Sequence, residues 1–167
     1  MSKEQINLLL VDDEDALLHS IQRRLQLRDF NVIAVNRGEK ALEVARHQPL
    51  DLAILDLKMP GMSGKDVLIA LKRDYPWLEV IILTGHGSFD PENEKDFGKA
   101  YTYLSKPCDL DTLLKTLVAA YKKTVMTRRR ITPAELASRL QEVNATSPRE
   151  ILKKLKELDG NGQQTKT

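Results

Sequence analysis

A chain of 167 residues, 41% hydrophobic and 30% charged, has room for one domain plus an appendage, and no apolar run in it nears the length of a membrane span. One cysteine, Cys108, excludes an internal disulfide framework, and three histidines without cysteine partners give no zinc spacing, so redox and zinc chemistry fall away. The net charge of +2 hides an asymmetry, because residues 1–121 hold 15 Lys/Arg against 19 Asp/Glu while 122–167 hold 11 against 5. Such a basic tail marks either a nucleic-acid arm or, more commonly, a solvated helix surface.

The opening MSKEQINLLLVDDE sets acids directly after an apolar run too short for a signal-peptide core, and the expectation is a soluble protein kept in the cytoplasm. Residues 6–11 (INLLLV) read as a first buried strand, with Asp12, Asp13 and Glu14 at its end and a helical pattern of Ala16, Leu17, Ile21 and Leu25 after it. Residues 30–35 form a second strand and 39–46 a short helix. Next, LAILDLKMPG delivers Asp56 to the end of a strand buried on both faces, before a Pro-Gly turn. Residues 63–75 are a third helix stopped by Pro76, 79–83 a strand ending on Thr84, and 100–104 a strand just short of Lys106-Pro107. Asp109 caps a long helix bearing Leu113, Leu114, Leu117, Val118 and Tyr121. Strands alternating with helices specify an α/β fold, a doubly wound five-stranded parallel sheet of flavodoxin-like order 2-1-3-4-5, with a C-terminal helical extension.

In that sheet the carboxyl ends of the strands border one crevice, and each brings a polar group there: Asp12 and Asp13, Asp56, Thr84, and Lys106 just beyond. Taken singly, these acids are also ordinary turn and helix-capping residues. Together, three converging carboxylates would repel one another unless a cation sits among them, and Mg²⁺ suits oxygen ligands that leave places for water and a phosphate oxygen. Aspartate can also be a nucleophile that forms an acyl phosphate. Phosphoryl transfer needs its equatorial oxygens neutralised, for which a metal, the Lys106 ammonium and the Thr84 hydroxyl are the parts at hand.

The motifs LLLVDDE, ILDLKMPGMSG, ILTGHGS and YLSKP, in this order, resemble the receiver domain of bacterial two-component response regulators, the CheY-like fold, over residues 3–124. The resemblance implies that Asp56 accepts a phosphoryl group from a sensor histidine kinase or phosphotransfer protein. It implies Mg²⁺ ligation by Asp13 and Asp56, by Asp12 through water, and by the backbone carbonyl of Lys58. Thr84 would hydrogen-bond the phosphoryl oxygens and Lys106 would pair with their charge. Tyr103 matches the family's switch aromatic, coupled to Thr84, although an ordinary aromatic at the edge of the core fits the same position.

Two departures from the family pattern stand out. DPENEKD at 90–96 has no apolar residue where receivers usually carry an amphipathic fourth helix, and Lys99 takes the place of a common glycine, with Gly98 one position earlier. Dimerisation through that face is therefore in doubt. Lys58 and His86, each two residues beyond a site residue, are candidates to lengthen the life of the phosphoryl state, unless both point to solvent.

The tail, residues 125–167, contains a fifteen-residue tandem: TPAELASRLQEVNA and SPREILKKLKELDG align without gaps. Each copy opens with a hydroxyl N-cap, proline at N1 and glutamate at N3, a capping box that starts a short amphipathic helix at about 133–144 and about 148–159. The expected apolar stripes are Leu136, Leu140 and Val143, then Ile151, Leu155 and Leu158. Such a pair is too short to stand alone and should pack on the receiver, on the long helix, or on a second copy in a homodimer. DNA binding by the basic tail is the alternative output, disfavoured because no base-reading cluster stands out. A haloacid-dehalogenase-like phosphatase would need a second acid two residues after its nucleophile, and here that residue is Lys58. The expectation is a phosphoacceptor rather than an enzyme acting on a separate substrate.

Overall fold

Strand β3 (Leu52–Leu55), every residue of it buried, lies at the centre of a five-stranded sheet. The computed structural model describes residues 4–85 and 99–160. Around β3 run β1 (Ile6–Val11), α1 (Asp15–Gln26), β2 (Phe30–Val35), α2 (Gly38–His47), α3 (Gly64–Asp74), β4 (Glu79–Thr84), β5 (Thr102–Ser105) and α4 (Leu110–Arg129). All neighbouring strands pair in parallel, in the order β2-β1-β3-β4-β5. The departures expected at 90–96, with His86 and Gly98, lie outside the described residues.

Alternation along β1 divides the core, as the period of two in a strand requires. Leu8 and Leu10 face a cluster built with Leu18 and Leu25 of α1 and Leu113, Leu117 and Tyr121 of α4. Leu9 and Val11 face the other, with Ala41 and Ala45 of α2 and Val67, Leu68 and Leu71 of α3. Both faces of the sheet are covered, which is why its strands read as nearly continuous apolar runs. The edge strand β5 begins two residues later than expected, since Tyr101 N–H still serves as a lead-in, donating to Val80 O at 2.7 Å, and the ladder starts with Thr102 opposite Ile81.

The caps at Ser63 and Asp109 form as their sequences require, accepting from Asp66 N–H at 3.2 Å and Thr112 N–H at 2.8 Å. Helix α4 runs beyond Thr124 to Arg129 and stops at Arg130, whose left-handed φ of 55° ends it. Then come α5 (Pro133–Glu142) and α6 (Pro148–Gly160).

The two copies of the tandem fold differently. Thr132 and Glu135 close a complete capping box, whereas in the second copy Ser147 Oγ accepts from Glu150 N–H but the Glu150 carboxylate reaches back to Thr146 N–H at 3.1 Å. The expected stripes also need correction. Val143 lies past the end of α5 and is 46% exposed, because the chain turns at Asn144 with φ 56°. In α6 the expected Ile151, Leu155 and Leu158 do pack on the core, Ile151 and Leu158 half-buried, while Leu152 and Asp159, outside that stripe, are buried too. Leu136, Leu152 and Leu155 join the α1/α4 side of the receiver core. Packing on the receiver and on α4 is one of the placements expected for this helical pair.

Candidate functional site

Register brings the acids together. Val11 pairs with Leu55, so the next residues, Asp12 and Asp56, leave adjacent strands at the same height. Backbone bonds fix that exit: Asp56 N–H donates to Val11 O at 2.9 Å and Asp12 N–H to Val35 O at 3.2 Å. Asp12 and Asp56 are 2% and 5% exposed, deep enough for their charges to interact strongly, while Asp13 is exposed. One carboxylate oxygen from each of the three lies within 4.8 Å of the others. Asp12 Oδ1 also accepts from Glu14 N–H at 2.9 Å, at the entry to α1.

Lys106 projects into this cluster from the loop after β5, where the Lys106–Pro107 peptide is cis. Its Nζ is 2.7 Å from Asp12 Oδ2, 3.5 Å from Asp56 Oδ2 and 3.6 Å from Glu14 Oε1. Burial works to lower the pKa of the ammonium, but the hydrogen bond and charge of Asp12, with the charges of Asp56 and Glu14, outweigh it and the net direction is upward. Asp56 is raised as well, which for an acid disfavours the charged form: burial first, then the Asp12 charge, push its carboxyl up to about 6, with Lys106 only partly offsetting them. A carboxylate so placed favours any cation that can join it.

The turn after Asp56 is tightly folded. Gly64 N–H donates to Leu57 O at 3.0 Å, and a Cβ at Gly64 would stand 2.0 Å from the Asp56 carbonyl oxygen. Gly61 takes φ 77°, a left-handed conformation suited to glycine, and Met62 N–H donates to Glu39 Oε1 at 3.0 Å. Lys58 sits within this turn with its side chain exposed. Sequence reasoning set Glu14 at the end of β1 without a role in the site and missed Glu39, since an exposed acid in the first turn of α2 carries no signal beyond helix stabilisation.

Thr84 ends β4 at the same crest, its hydroxyl donating to Gly85 O at 3.3 Å. It is not in the Lys106 ion-pair cluster. Tyr103 pairs in register with Ile82 and packs, half-buried, on the α2/α3-side core. Burial raises its phenol pKa.

Residues 8–118 match the response regulator receiver domain family. The chain is 32% identical over 124 residues to the transcriptional regulatory protein GlrR of Escherichia coli (strain K12), covering 74% of this chain and 28% of that protein. It is 34% identical over 137 residues to the transcriptional regulatory protein ZraR of Klebsiella oxytoca, covering 82% and 31%. It thus spans less than a third of the length of these relatives. Among solved structures it is similar to a response regulator receiver domain protein from Clostridium thermocellum, with TM-score 0.64, 29% identity, and coverage of 76% of this chain and 99% of that one. Response regulator protein TrrA from Thermotoga maritima, solved in complex with Mg(2+)-BeF, matches with TM-score 0.63 and 26% identity, over 70% and 99%. The chain belongs to the response regulator receiver family. Among the described residues, no helix is long and apolar enough to cross a membrane.

Proposed function

We propose that Asp56 is the phosphoacceptor of a two-component relay, taking its phosphoryl group from a phosphohistidine on a sensor kinase or phosphotransfer protein in the cytoplasm. A carboxylate oxygen of Asp56 attacks phosphorus and the P–N bond breaks. The imidazole nitrogen keeps the electron pair and takes up a proton, leaving an acyl phosphate. Hydrolysis by water at phosphorus returns the carboxylate and inorganic phosphate, so the chain promotes its own modification without a separate substrate to turn over. The observation that carries this reading is the convergence of three acid oxygens within 4.8 Å, with the Lys106 ammonium 3.5 Å from Asp56.

The donor set fits a hard divalent cation. It is all oxygen, two of its acids are buried, and one is driven upward by burial and then by the charge of Asp12. Asp12, Asp13 and Asp56 would hold Mg²⁺, with the backbone carbonyl of Lys58 as a further ligand. Bound there, the ion would supply positive charge to the transferring oxygens. Lys106 screens the same charge from the β5 side, and Thr84 offers its hydroxyl once it leaves Gly85. Movement of Thr84 frees space beside β5 for Tyr103, and this pair would carry the switch to a partner-binding face.

Incubation with a small acyl phosphate and Mg²⁺, followed by intact mass, tests the assignment. One phosphoryl group should appear on the wild type and none on Asp56→Asn; a wild-type mass that stays constant rejects it. DNA binding, suggested by the regulators to which this chain is similar, is the second reading. Against it, four of the 11 Lys/Arg in 122–167 (Lys123, Arg128, Arg129 and Lys156) are paired with buried acids. A shift of duplex DNA that fades with added salt would revive it.

A further inference from the structure

At the end of the sheet opposite the phosphoacceptor, two carboxylates are more deeply buried than any surface pair: Asp51 is 2% exposed and Asp159 1%. Asp51 immediately precedes β3, and Asp159 is near the end of α6. Each carboxylate oxygen has a donor. Asp51 Oδ1 accepts from Arg128 at 3.0 Å, and Oδ2 accepts from Lys156 Nζ at 3.0 Å and from Asn7 N–H at 2.7 Å. Asp159 Oδ1 accepts from Arg129 Nε at 2.9 Å, while Oδ2 accepts the Tyr121 hydroxyl at 2.9 Å and stands 3.1 Å from Arg128. Arg128 thus bridges the two acids, with its guanidinium 4.2 Å from the Trp77 ring centre. Leu152 and Leu155 bury the apolar part of the same seam.

A contact of this kind is selective. Buried ion pairs lose much of their attraction to desolvation, but a buried charge left without its partner is costly, so they discriminate among registers more than they add stability. Sliding α6 by one turn would present Leu152 or Gly160 to Asp51 in place of Lys156, leaving Oδ2 of the acid with the Asn7 N–H alone. The tandem supplies a comparison inside the same chain. At the positions of Lys156 and Asp159, the first copy carries Gln141 and Asn144, side chains of similar length without charge. Helix α5 shares the sequence pattern of α6 but not the charges at these two positions, and Asn144 bends out of the helix with φ 56° where Asp159 remains helical.

We infer that the receiver's lower end, formed by Asp51, Tyr121, Arg128 and Arg129, is a specific docking site for an amphipathic helix bearing a lysine and an aspartate three residues apart, and that the two tandem copies have divided labour accordingly. The second copy is the docked ligand of this site. The first returns the chain to it and is barred from it by the neutrality of Gln141 and Asn144. The pair is therefore a fixed part of the receiver rather than a freely swinging output arm. This inference stands apart from the phosphoacceptor reading, since it needs neither metal nor phosphate.

The test gives α6 the first copy's residues within the full chain, Lys156→Gln with Asp159→Asn. Amide exchange and trypsin cleavage at Arg149, Lys153 and Lys154 are then followed. Release should speed exchange across α6 on the order of 100-fold and, by loosening the helix backbone, open these sites to cleavage, while amides of β1 and β3 stay protected. Lys156→Arg, which keeps the charge, should behave as wild type. Unchanged protection of α6 in the double variant would overturn the inference, as would equal loosening by Lys156→Arg. If the double variant fails to fold, Lys156→Gln alone is read the same way, with a smaller acceleration expected and the same null result counting against the site.

Discussion

Lys106 Nζ stands 2.7 Å from Asp12 Oδ2 but 3.5 Å from Asp56 Oδ2. In this arrangement the lysine's shorter contact goes to the neighbouring acid, and Asp56 takes the longer one. Transfer to Asp56 would place three phosphoryl oxygens where the lysine can turn to them, so its pairing should change with the state of the site. Replacing it by methionine removes a cation that is 12% exposed from two buried acids. Lys106→Met should cost on the order of 3 kcal/mol of stability by urea titration without Mg²⁺, and less with Mg²⁺ present. Phosphorylation by a small phosphodonor should slow about 100-fold, as measured by mass against time.

The upward shift of Asp56 to about 6 makes the metal-free fold sensitive to pH. Its folded pKa lies above the ordinary value of 3.8, so the folded state holds this proton more tightly than the unfolded chain does. The fold therefore bears no penalty from Asp56 at low pH. The penalty grows as pH rises from about 4 and is complete above about 6. Asp56→Asn should raise the metal-free Tm by about 2–6 °C at neutral pH and leave it nearly unchanged near pH 4. Mg²⁺ should raise the wild-type Tm at neutral pH and lose that effect as acid competes for the site. Scanning calorimetry at the two pH values, with and without Mg²⁺, checks both signs.

Two glycines in the turn after Asp56 should respond unequally to alanine. At Gly64 the new Cβ would meet the Asp56 carbonyl oxygen at 2.0 Å and Leu57 Cα at 2.8 Å, both backbone atoms that cannot step aside. Gly64→Ala should cost about 3 kcal/mol or more and abolish phosphoryl acceptance. At Gly61 the nearest atom, Glu39 Oε1 at 2.9 Å, ends a flexible side chain, and the strain comes from φ 77°. Gly61→Ala should cost only about 1–2 kcal/mol and leave acceptance measurable. Urea titrations and the mass assay rank the two.

Removing charge from Asp51 leaves Arg128 and Lys156 beside a neutral amide. Asp51→Asn should destabilise the full chain by about 3 kcal/mol in urea titration. Tyr121→Phe, which removes one neutral donor to Asp159, should cost about 1–2 kcal/mol.

Local order explains why so much of the receiver is legible before folding. Runs such as INLLLV and LAIL can bury both faces only inside a covered parallel sheet, and that sheet type brings Asp12, Asp13, Asp56 and Lys106 to one end. Ser63, Asp109 and Thr132 announce helix starts because a cap acts within its own turn. The sequence of the tail likewise announced two helices and their proline starts. Which of their faces would be buried depended on partners distant in sequence: Asp159 reads as a surface acid until Arg128, Arg129 and Tyr121 surround it, and Asp51 as a turn residue until Lys156 arrives from 105 positions away. Pattern along the chain determined the elements and the acid crest, because strand period and caps are short-range. Tertiary structure alone decided where the basic tail's charges went, because a buried ion pair is defined by what packs around it.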